Sequence, residues 1–79
     1  MTNTEKLYTA FAEGLNIDRN KITDDLVYRS IAQWDSISHM VLISQIEEAF
    51  NISFETDDVI DLNSVAKAKE ILGKHSIIF

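Results

Sequence analysis

Residues 34–50 read WDSISHMVLISQIEEAF, and their apolar side chains recur at the spacing of an α-helix. Asp35 belongs to the residue types that favour the N-cap position, so the pattern predicts a helix over about 36 to 50. Ser36 then lies in the first turn, where free backbone N–H groups and the positive end of the helix dipole favour a phosphate ester. The sequence therefore predicts that Ser36 is an exposed attachment point and not a nucleophile.

This predicted helix has two apolar faces when its residues are placed about 100° apart. The face predicted to pack in the core consists of His39, Leu42, Ile43, Ile46, Ala49 and Phe50. The other face carries Ile37, Met40 and Val41, close to Ser36. Because these three residues cluster beside the proposed attachment point, we predict that they form a contact surface for a partner. The alternative is that they are scattered surface residues without a function.

The composition indicates one small helical domain over residues 1–79. With 79 residues the chain can bury roughly 60% of its unfolded surface, and it contains no Pro and only two Gly. A pocket that encloses a substrate and excludes water is hard to build at this size, so an autonomous enzyme is not expected. The chain has no Cys, which excludes disulfides, thiolate zinc sites and a protein thiol nucleophile. We expect no signal peptide and no membrane span, and a cytoplasmic location.

The net charge is −6, and the negative charge is concentrated in the middle of the chain. No Lys or Arg occurs between Arg29 and Lys67. The acids in this segment include Asp35, Glu47, Glu48, Glu55, Asp57, Asp58 and Asp61. Such a field repels nucleic-acid phosphates and attracts basic protein partners. A solvated surface that only aids solubility is the alternative.

A first helix is predicted over about 3 to 15, because an apolar stripe there lies opposite acids and threonines. Thr2 and Glu5 have the spacing of a capping box at its start. Gly14 is predicted to weaken or end this helix, since glycine is a poor helix former.

Residues 16–34 form a long connection for so small a protein, but they contain enough apolar residues to be a packed loop and not a linker. A short helical turn within the loop is predicted to start at Asp24-Asp25 or at Ser30. Acids at the start of the segment 56–62 predict a short third helix there.

The last helix is predicted over about 64 to 72, with Ser64 as its N-cap. Gly73 has the residue type and position of its C-terminal cap. His75 stands alone in the following tail and is expected to be exposed. For the tail, residues 74–79, a strand-like arrangement and a frayed end remain open.

Several motifs in the chain occur in a fixed order. They are Asp35-Ser36-Ile37, Glu47-Glu48-Ala49-Phe50, Ile52-Ser53-Phe54 and Ser64-Val65. With this series and spacing, the stretch from Trp34 to Ile71 resembles the acyl carrier proteins. The first motif alone would be a weak signal, whereas the whole series is a specific one.

The resemblance implies an all-α four-helix bundle with three longer helices, a short third helix and a long first loop. It also implies that a phosphopantetheinyl transferase joins 4'-phosphopantetheine from coenzyme A to the Ser36 hydroxyl, with Asp35 as part of the motif. The thiol of this arm would carry acyl groups as thioesters, so the protein would be a non-catalytic carrier. By analogy with the family, Ile46, Leu62 and Ala68 are candidates to line an acyl cavity.

The resemblance places partner recognition along the second helix and the loop before it. The partners it implies are the transferase, an acyltransferase or ligase, a ketosynthase and other pathway enzymes with basic or apolar docking patches. The predicted partner-binding residues are Trp34, Ile37, Met40, Val41, Glu47, Glu48 and Ile60. We expect a monomer that binds neither nucleic acid nor membrane.

Some residues depart from the pattern of fatty-acid-synthase carriers. Ser38 and Val41 occupy positions that are commonly acidic in those carriers. Trp34 and His39 look more like the residues at these positions in the discrete or excised carriers of polyketide assembly lines. We therefore hypothesise a role in polyketide or mixed polyketide–peptide biosynthesis. A carrier for fatty-acid synthesis or another acyl-transfer pathway is one alternative, and an unmodified interaction module of the same fold is another.

A hydrolytic site and a metal site are two alternative interpretations of residues in this chain. Ser36 and His39 are one helical turn apart, as in a hydrolytic pair, but such a pair needs an oxyanion hole and His39 is predicted on the core face. We predict that His39 is a buried, hydrogen-bonded histidine that orders the loop before the helix. The acidic segment that contains Asp57, Asp58 and Asp61 does not have the glycine and the glutamate that an EF-hand calcium loop requires, so no metal site is expected.

Overall fold

The computed structural model describes residues 2–79, so Met1 of the predicted domain lies outside the described range. The helices are α1 (Asn3–Leu15), α2 (Ser36–Phe50), α3 (Thr56–Asp61) and α4 (Val65–Lys74). The prediction of an all-α fold with four helices, the third of them short, is confirmed. Among residues 2–79, no helix is long and apolar enough to cross a membrane.

The core is formed by apolar side chains from α1, α2, α4 and the long first loop. Its largest fully buried members are Trp34, Phe11, Leu7, Leu42, Ile46, Leu62, Ile71, Leu72 and Val65. On α2 the predicted core face is mostly correct, since Leu42, Ile43, Ile46 and Phe50 are buried and His39 and Ala49 are half-buried.

Gly14 does not end α1, contrary to the prediction. A Cβ atom at this position would lie 2.7 Å from the Cα atom of Leu42, so α1 and α2 are in backbone contact there. Glycine is needed for this close approach, and α1 continues to Leu15. The cap residue that follows is Asn16, whose φ of 57° is left-handed.

The ends of α3 and α4 also differ from the predicted ends. Helix α3 stops at Asp61 because Leu62 turns into the core, where it is 1% exposed. Helix α4 starts at Val65, and the predicted N-cap is confirmed because the Ser64 hydroxyl accepts a hydrogen bond from the Lys67 N–H at 2.9 Å. Gly73 lies inside α4 and does not cap it.

The residue with left-handed backbone beyond α4 is Ser76, with a φ of 68°. The Ile77 N–H then donates to the Leu72 carbonyl, which satisfies one of the free carbonyls at the helix end. The tail is neither a strand nor frayed: the Ile78 carbonyl accepts from the Asn3 side chain, and the Phe79 ring packs edge-on against Phe50. It therefore lies at the end of α2 that is opposite Ser36.

The first loop is packed, as predicted, but its helical turn is in a different place. A 3-10 helix occupies Arg19–Lys21, before the predicted positions Asp24-Asp25 and Ser30. Later in the loop, an isolated antiparallel bridge joins Val27 to Ser64. This bridge fixes the second half of the loop against the start of α4.

A polar cluster ties the middle of the loop to α1 and α4. The Tyr8 hydroxyl donates to the Asp24 carboxylate, and the Lys69 ammonium lies 3.0 Å from the same carboxylate. The guanidinium of Arg19 lies over the Tyr8 ring. These contacts hold three separate segments together at the surface.

Asp58 is the one charged side chain classed as buried among residues 2–79, and it links α3 to the end of α4. Its carboxylate lies 3.4 Å from the Lys74 ammonium and 3.6 Å from His75 Nε2. Burial raises the pKa of Asp58, but the Glu55 backbone N–H, Lys74 and His75 outweigh it and leave the pKa below its ordinary value. The expectation that His75 is exposed is wrong, since it is half-buried beside this carboxylate.

Candidate functional site

Ser36 is the first residue of α2 and is exposed. The N-cap before it is Asp35, as predicted: its carboxylate accepts hydrogen bonds from the N–H groups of Ile37 at 3.1 Å and Ser38 at 2.9 Å. The Ser38 hydroxyl in turn accepts from the Asp35 N–H at 3.0 Å. This reciprocal capping fixes the first turn of α2, and it is made by the neighbours of Ser36 and not by Ser36 itself.

The charge of Asp35 depends on the same contacts. The backbone N–H of Ser38, followed by the Ser38 hydroxyl, lowers the pKa of Asp35, because both hydrogen bonds favour the carboxylate over the carboxylic acid. Asp35 is therefore ionised near neutral pH, and its negative charge lies at the positive end of the α2 dipole. The helix start that presents Ser36 is stabilised by this arrangement.

His39 has both ring nitrogens in hydrogen bonds. Its Nδ1 atom accepts from the Trp34 Nε1–H at 3.0 Å, so the imidazole proton is on Nε2, which faces the Val59 carbonyl at 2.9 Å. His39 is hydrogen-bonded to the end of the loop before α2, as predicted, but it is half-buried and not fully buried as expected. Because neither nitrogen is free to accept a proton from Ser36, the geometry does not form a hydrolytic pair.

Trp34 lies in the core and not at the surface, so it cannot contact a partner directly as predicted. Its side chain is 0% exposed and packs edge-on against the rings of Phe11 at 5.4 Å and Tyr28 at 5.9 Å. The indole fills the core below the start of α2, and its N–H is used by His39. Burial of this large ring supports the position of Ser36 from the inside.

A mainly apolar pocket of about 270 Å³ opens beside Ser36, between α2 and α3. It is lined by Tyr28, Ser36, His39, Met40, Val59, Ile60, Leu62 and Asn63. Of the three residues predicted to line a cavity, Leu62 does so. Ile46 and Ala68 are both 0% exposed within the core.

The pocket also contains two residues that the sequence analysis missed. Tyr28 and Asn63 are brought together by a backbone hydrogen bond, from the Tyr28 N–H to the Asn63 carbonyl at 2.7 Å. The bond belongs to the bridge between the loop and the start of α4. No local pattern in the sequence signals this pairing.

The exposed apolar residues around Ser36 form one surface, which we call the apolar face. It consists of Ile37, Met40 and Val41 on α2 and Ile60 on α3, which are 78%, 57%, 47% and 72% exposed. Met40 and Ile60 are adjacent, since they line the same pocket. The structure thus brings Met40 and Ile60 together, and Ile37 and Val41 lie within one turn of Met40 on α2.

The two predicted acidic partner residues have different environments. Glu48 is exposed, whereas Glu47 is half-buried and its carboxylate accepts a hydrogen bond from the Phe54 N–H at 2.8 Å. Glu47 therefore has a structural contact that fixes the chain after α2. In residues 2–79, no group of three or more His, Asp or Glu side chains is placed to hold a metal ion.

An exposed serine at a capped helix start, next to an apolar pocket, fits a class of protein that carries a covalently attached group. The model of the family described as phosphopantetheine attachment site matches residues 5–72. The chain therefore belongs to the acyl carrier protein family, whose members are non-catalytic carriers with covalent 4'-phosphopantetheine. Acyl carrier proteins are substrates of phosphopantetheinyl transferases and of acyl-transfer enzymes.

Three relatives agree with this assignment. An acyl carrier protein of Lactobacillus johnsonii is 33% identical over 70 residues, which cover 89% of this chain and 88% of that protein. Acyl carrier proteins of Guillardia theta and Rubrobacter xylanophilus are 29% and 24% identical, over 89% and 90% of this chain and 86% and 88% of theirs. No solved structure matches the chain significantly.

Proposed function

We propose that Ser36 is the residue that bears 4'-phosphopantetheine, and that the thiol of this arm carries acyl intermediates between partner enzymes. The observation that carries the proposal is the exposed position of Ser36 as the first residue of α2, with its neighbours Asp35 and Ser38 forming the cap. Backbone N–H groups and the helix dipole at this position favour the phosphodiester that attachment would create.

The test is the intact mass of the protein after incubation with coenzyme A, Mg²⁺ and a phosphopantetheinyl transferase of broad specificity. We expect a gain of one phosphopantetheinyl group in the wild-type protein and none in Ser36→Ala. Ser44→Ala is the matched control, because Ser44 is an exposed serine on the same helix, and we expect it to be loaded like wild type. Loading of Ser36→Ala, or loss of loading in Ser44→Ala, would contradict the assignment.

We further propose that the apolar face is the docking surface for partner enzymes. It adjoins Ser36, and the exposed acids Asp57 and Asp61 lie on the same short helix as Ile60. A partner with an apolar patch and a basic rim would complement this arrangement, because burial of the apolar side chains would supply affinity and the charges would supply orientation.

Alanine substitution tests this surface. Ile37→Ala and Ile60→Ala should each raise the KM of the transferase reaction about fivefold, the loss expected for part of an isoleucine side chain that becomes buried. Ile78→Ala is the matched control, because Ile78 is 82% exposed but lies at the opposite end of α2. Equal effects of all three substitutions would argue against a specific docking surface.

For the pathway we propose polyketide or mixed polyketide–peptide biosynthesis. The apolar face supports this, since Val41 is exposed where fatty-acid-synthase carriers are commonly acidic, and the Ser38 hydroxyl serves the helix cap. The part of the affinity that the apolar face supplies should then persist at high salt, because apolar contacts are not screened, whereas the association rate that the charges govern should fall. Loaded protein offered to fatty-acid-synthase enzymes and to polyketide enzymes tests the proposal, and efficient elongation by the former alone would refute it.

A further inference from the structure

One side chain joins α2 to α3 at the pocket. His39 is on the second turn of α2, and its Nε2–H donates to the carbonyl of Val59, in the middle of α3, at 2.9 Å. Helix α3 has only six residues, which is too short to be stable by itself, so its position depends on such contacts. The hydrogen bond therefore sets where α3 lies relative to α2.

The imidazole that makes this bond is itself held in place. Its other nitrogen accepts from the indole N–H of Trp34, which is 0% exposed, and the two rings are stacked with centroids 6.1 Å apart. The Tyr28 ring packs edge-on against the imidazole at 5.4 Å. Rotation of the imidazole would break both hydrogen bonds, so the link from the core to α3 is rigid.

The apolar face is divided between the two helices that His39 joins. Ile37, Met40 and Val41 are on α2, whereas Ile60 follows Val59 on α3. His39, Met40 and Ile60 also line the same pocket beside Ser36. The spacing between the two parts of the face therefore depends on the bond between His39 and Val59.

We propose that His39 is a positioning residue for docking: it holds Ile60 on α3 at a fixed distance from Met40 on α2, so that a partner contacts both as one surface. The proposal rests on the proposed function of the apolar face. His39 itself makes no contact with the reacting hydroxyl in this role. It acts through α3. Its hydrogen bond to the Val59 carbonyl serves this role, whereas its hydrogen bond to the Trp34 indole belongs to the core.

Three substitutions distinguish positioning from stability. His39→Leu removes both hydrogen bonds, and His39→Gln offers an amide that can still donate to the Val59 carbonyl. Ile71→Val removes one buried methylene from α4 and leaves both hydrogen bonds of His39 in place, so it is the matched control for loss of core stability. If His39→Leu does not fold, as judged by circular dichroism, His39→Asn replaces it, because its shorter amide does not reach Val59.

The first measurement is the steady-state loading of each variant by the transferase. We expect His39→Leu to raise KM about threefold to tenfold, the effect of one lost hydrogen bond, with kcat unchanged. Ile71→Val and His39→Gln should stay within about twofold of wild type, even where their melting temperatures fall. A rise in KM that follows the loss of stability across all three variants would overturn the proposal.

The second measurement is a double-mutant cycle with Ile60→Ala. Substitution of Ile60 should raise KM in the wild-type background and have little further effect in His39→Leu, because α3 is then already displaced. Independent, additive effects of the two substitutions would overturn the proposal.

Failure of the proposed function would give a different experimental result from failure of the role of His39. If the wild-type protein gains no phosphopantetheinyl group, attachment at Ser36 is refuted, and amide hydrogen exchange then decides the role of His39. The amides of Val59 and Leu62, which close the hydrogen bonds of α3, should exchange faster in His39→Leu and not in Ile71→Val. Equal exchange in both variants would refute the role of His39 as well.

Discussion

Substitution of Gly14 by alanine should destabilise the protein, although alanine is the better helix former. The added Cβ would lie 2.7 Å from the Leu42 Cα and 3.2 Å from the Leu42 Cβ. Carbon atoms in contact prefer a separation of about 3.5–4.0 Å, so α1 and α2 must move apart by roughly 1 Å. The obstructing atom belongs to the backbone, and no change of rotamer can relieve the contact.

Two effects of opposite sign set the size of the change. Replacing glycine by alanine inside a helix stabilises it by about 0.5–1 kcal/mol, whereas overpacking a close-packed contact costs about 1–3 kcal/mol. Phe11 and Leu15, on the same part of α1, are buried and would lose contacts as the helices separate. We therefore expect the overpacking cost to exceed the gain in helix propensity. The difference between the two ranges is centred near a net loss of about 1 kcal/mol, or about 4–8 °C in Tm for a domain of this size.

Gly73→Ala is the matched control. Gly73 also lies inside a helix, but nothing is within 4 Å of the Cβ it would gain. Only the helix propensity changes there, so Gly73→Ala should raise Tm by a few degrees. Thermal and urea unfolding followed by circular dichroism measure both variants. The argument fails if Gly14→Ala is as stable as wild type or shifts Tm in the same direction as Gly73→Ala.

Two further predictions concern pKa shifts. The hydrogen bond from the Ser38 N–H lowers the pKa of Asp35, so the stability that the carboxylate contributes is present above its ordinary pKa and is lost as the pH falls through the lowered value. The advantage of wild type over Asp35→Asn in urea unfolding should therefore shrink below about pH 4, and a difference independent of pH would contradict this. At the polar cluster, the hydrogen bond to Asp24 raises the pKa of Tyr8. An ultraviolet titration of Asp24→Asn should show a tyrosinate forming at lower pH than in wild type, and an unchanged titration would rule out that cause.

The features that could be predicted from the sequence are local. Asp35 and Ser64 were recognisable as N-caps because a cap depends on a side chain and an N–H group three or fewer residues away. Three-residue spacing likewise revealed the capping box of Thr2 and Glu5. The helical period placed α1 and α2 and identified their buried sides, since side chains on one face of a helix share one environment.

The left-handed asparagines that end α1 and α2 carried a signal that the sequence analysis did not use. Asn16 and Asn51 have φ values of 57° and 54°, a conformation that asparagine tolerates better than most residues. The pattern of glycines instead predicts helix ends at Gly14 and Gly73. Glycine has a second use, close backbone approach, and only the position of Leu42 shows that Gly14 has it.

Local sequence is enough to predict the helical class, the position of Ser36 at a capped helix start and the exposed apolar residues of α2. Three other features are visible only once the chain is folded: Trp34 is buried, His39 reaches Val59 on another helix, and Asp58 pairs with the end of α4. Each of these depends on two or more segments that are distant in sequence and meet by packing. The period of a helix identifies which side of it is buried, but it carries no information on which residue of another segment lies opposite.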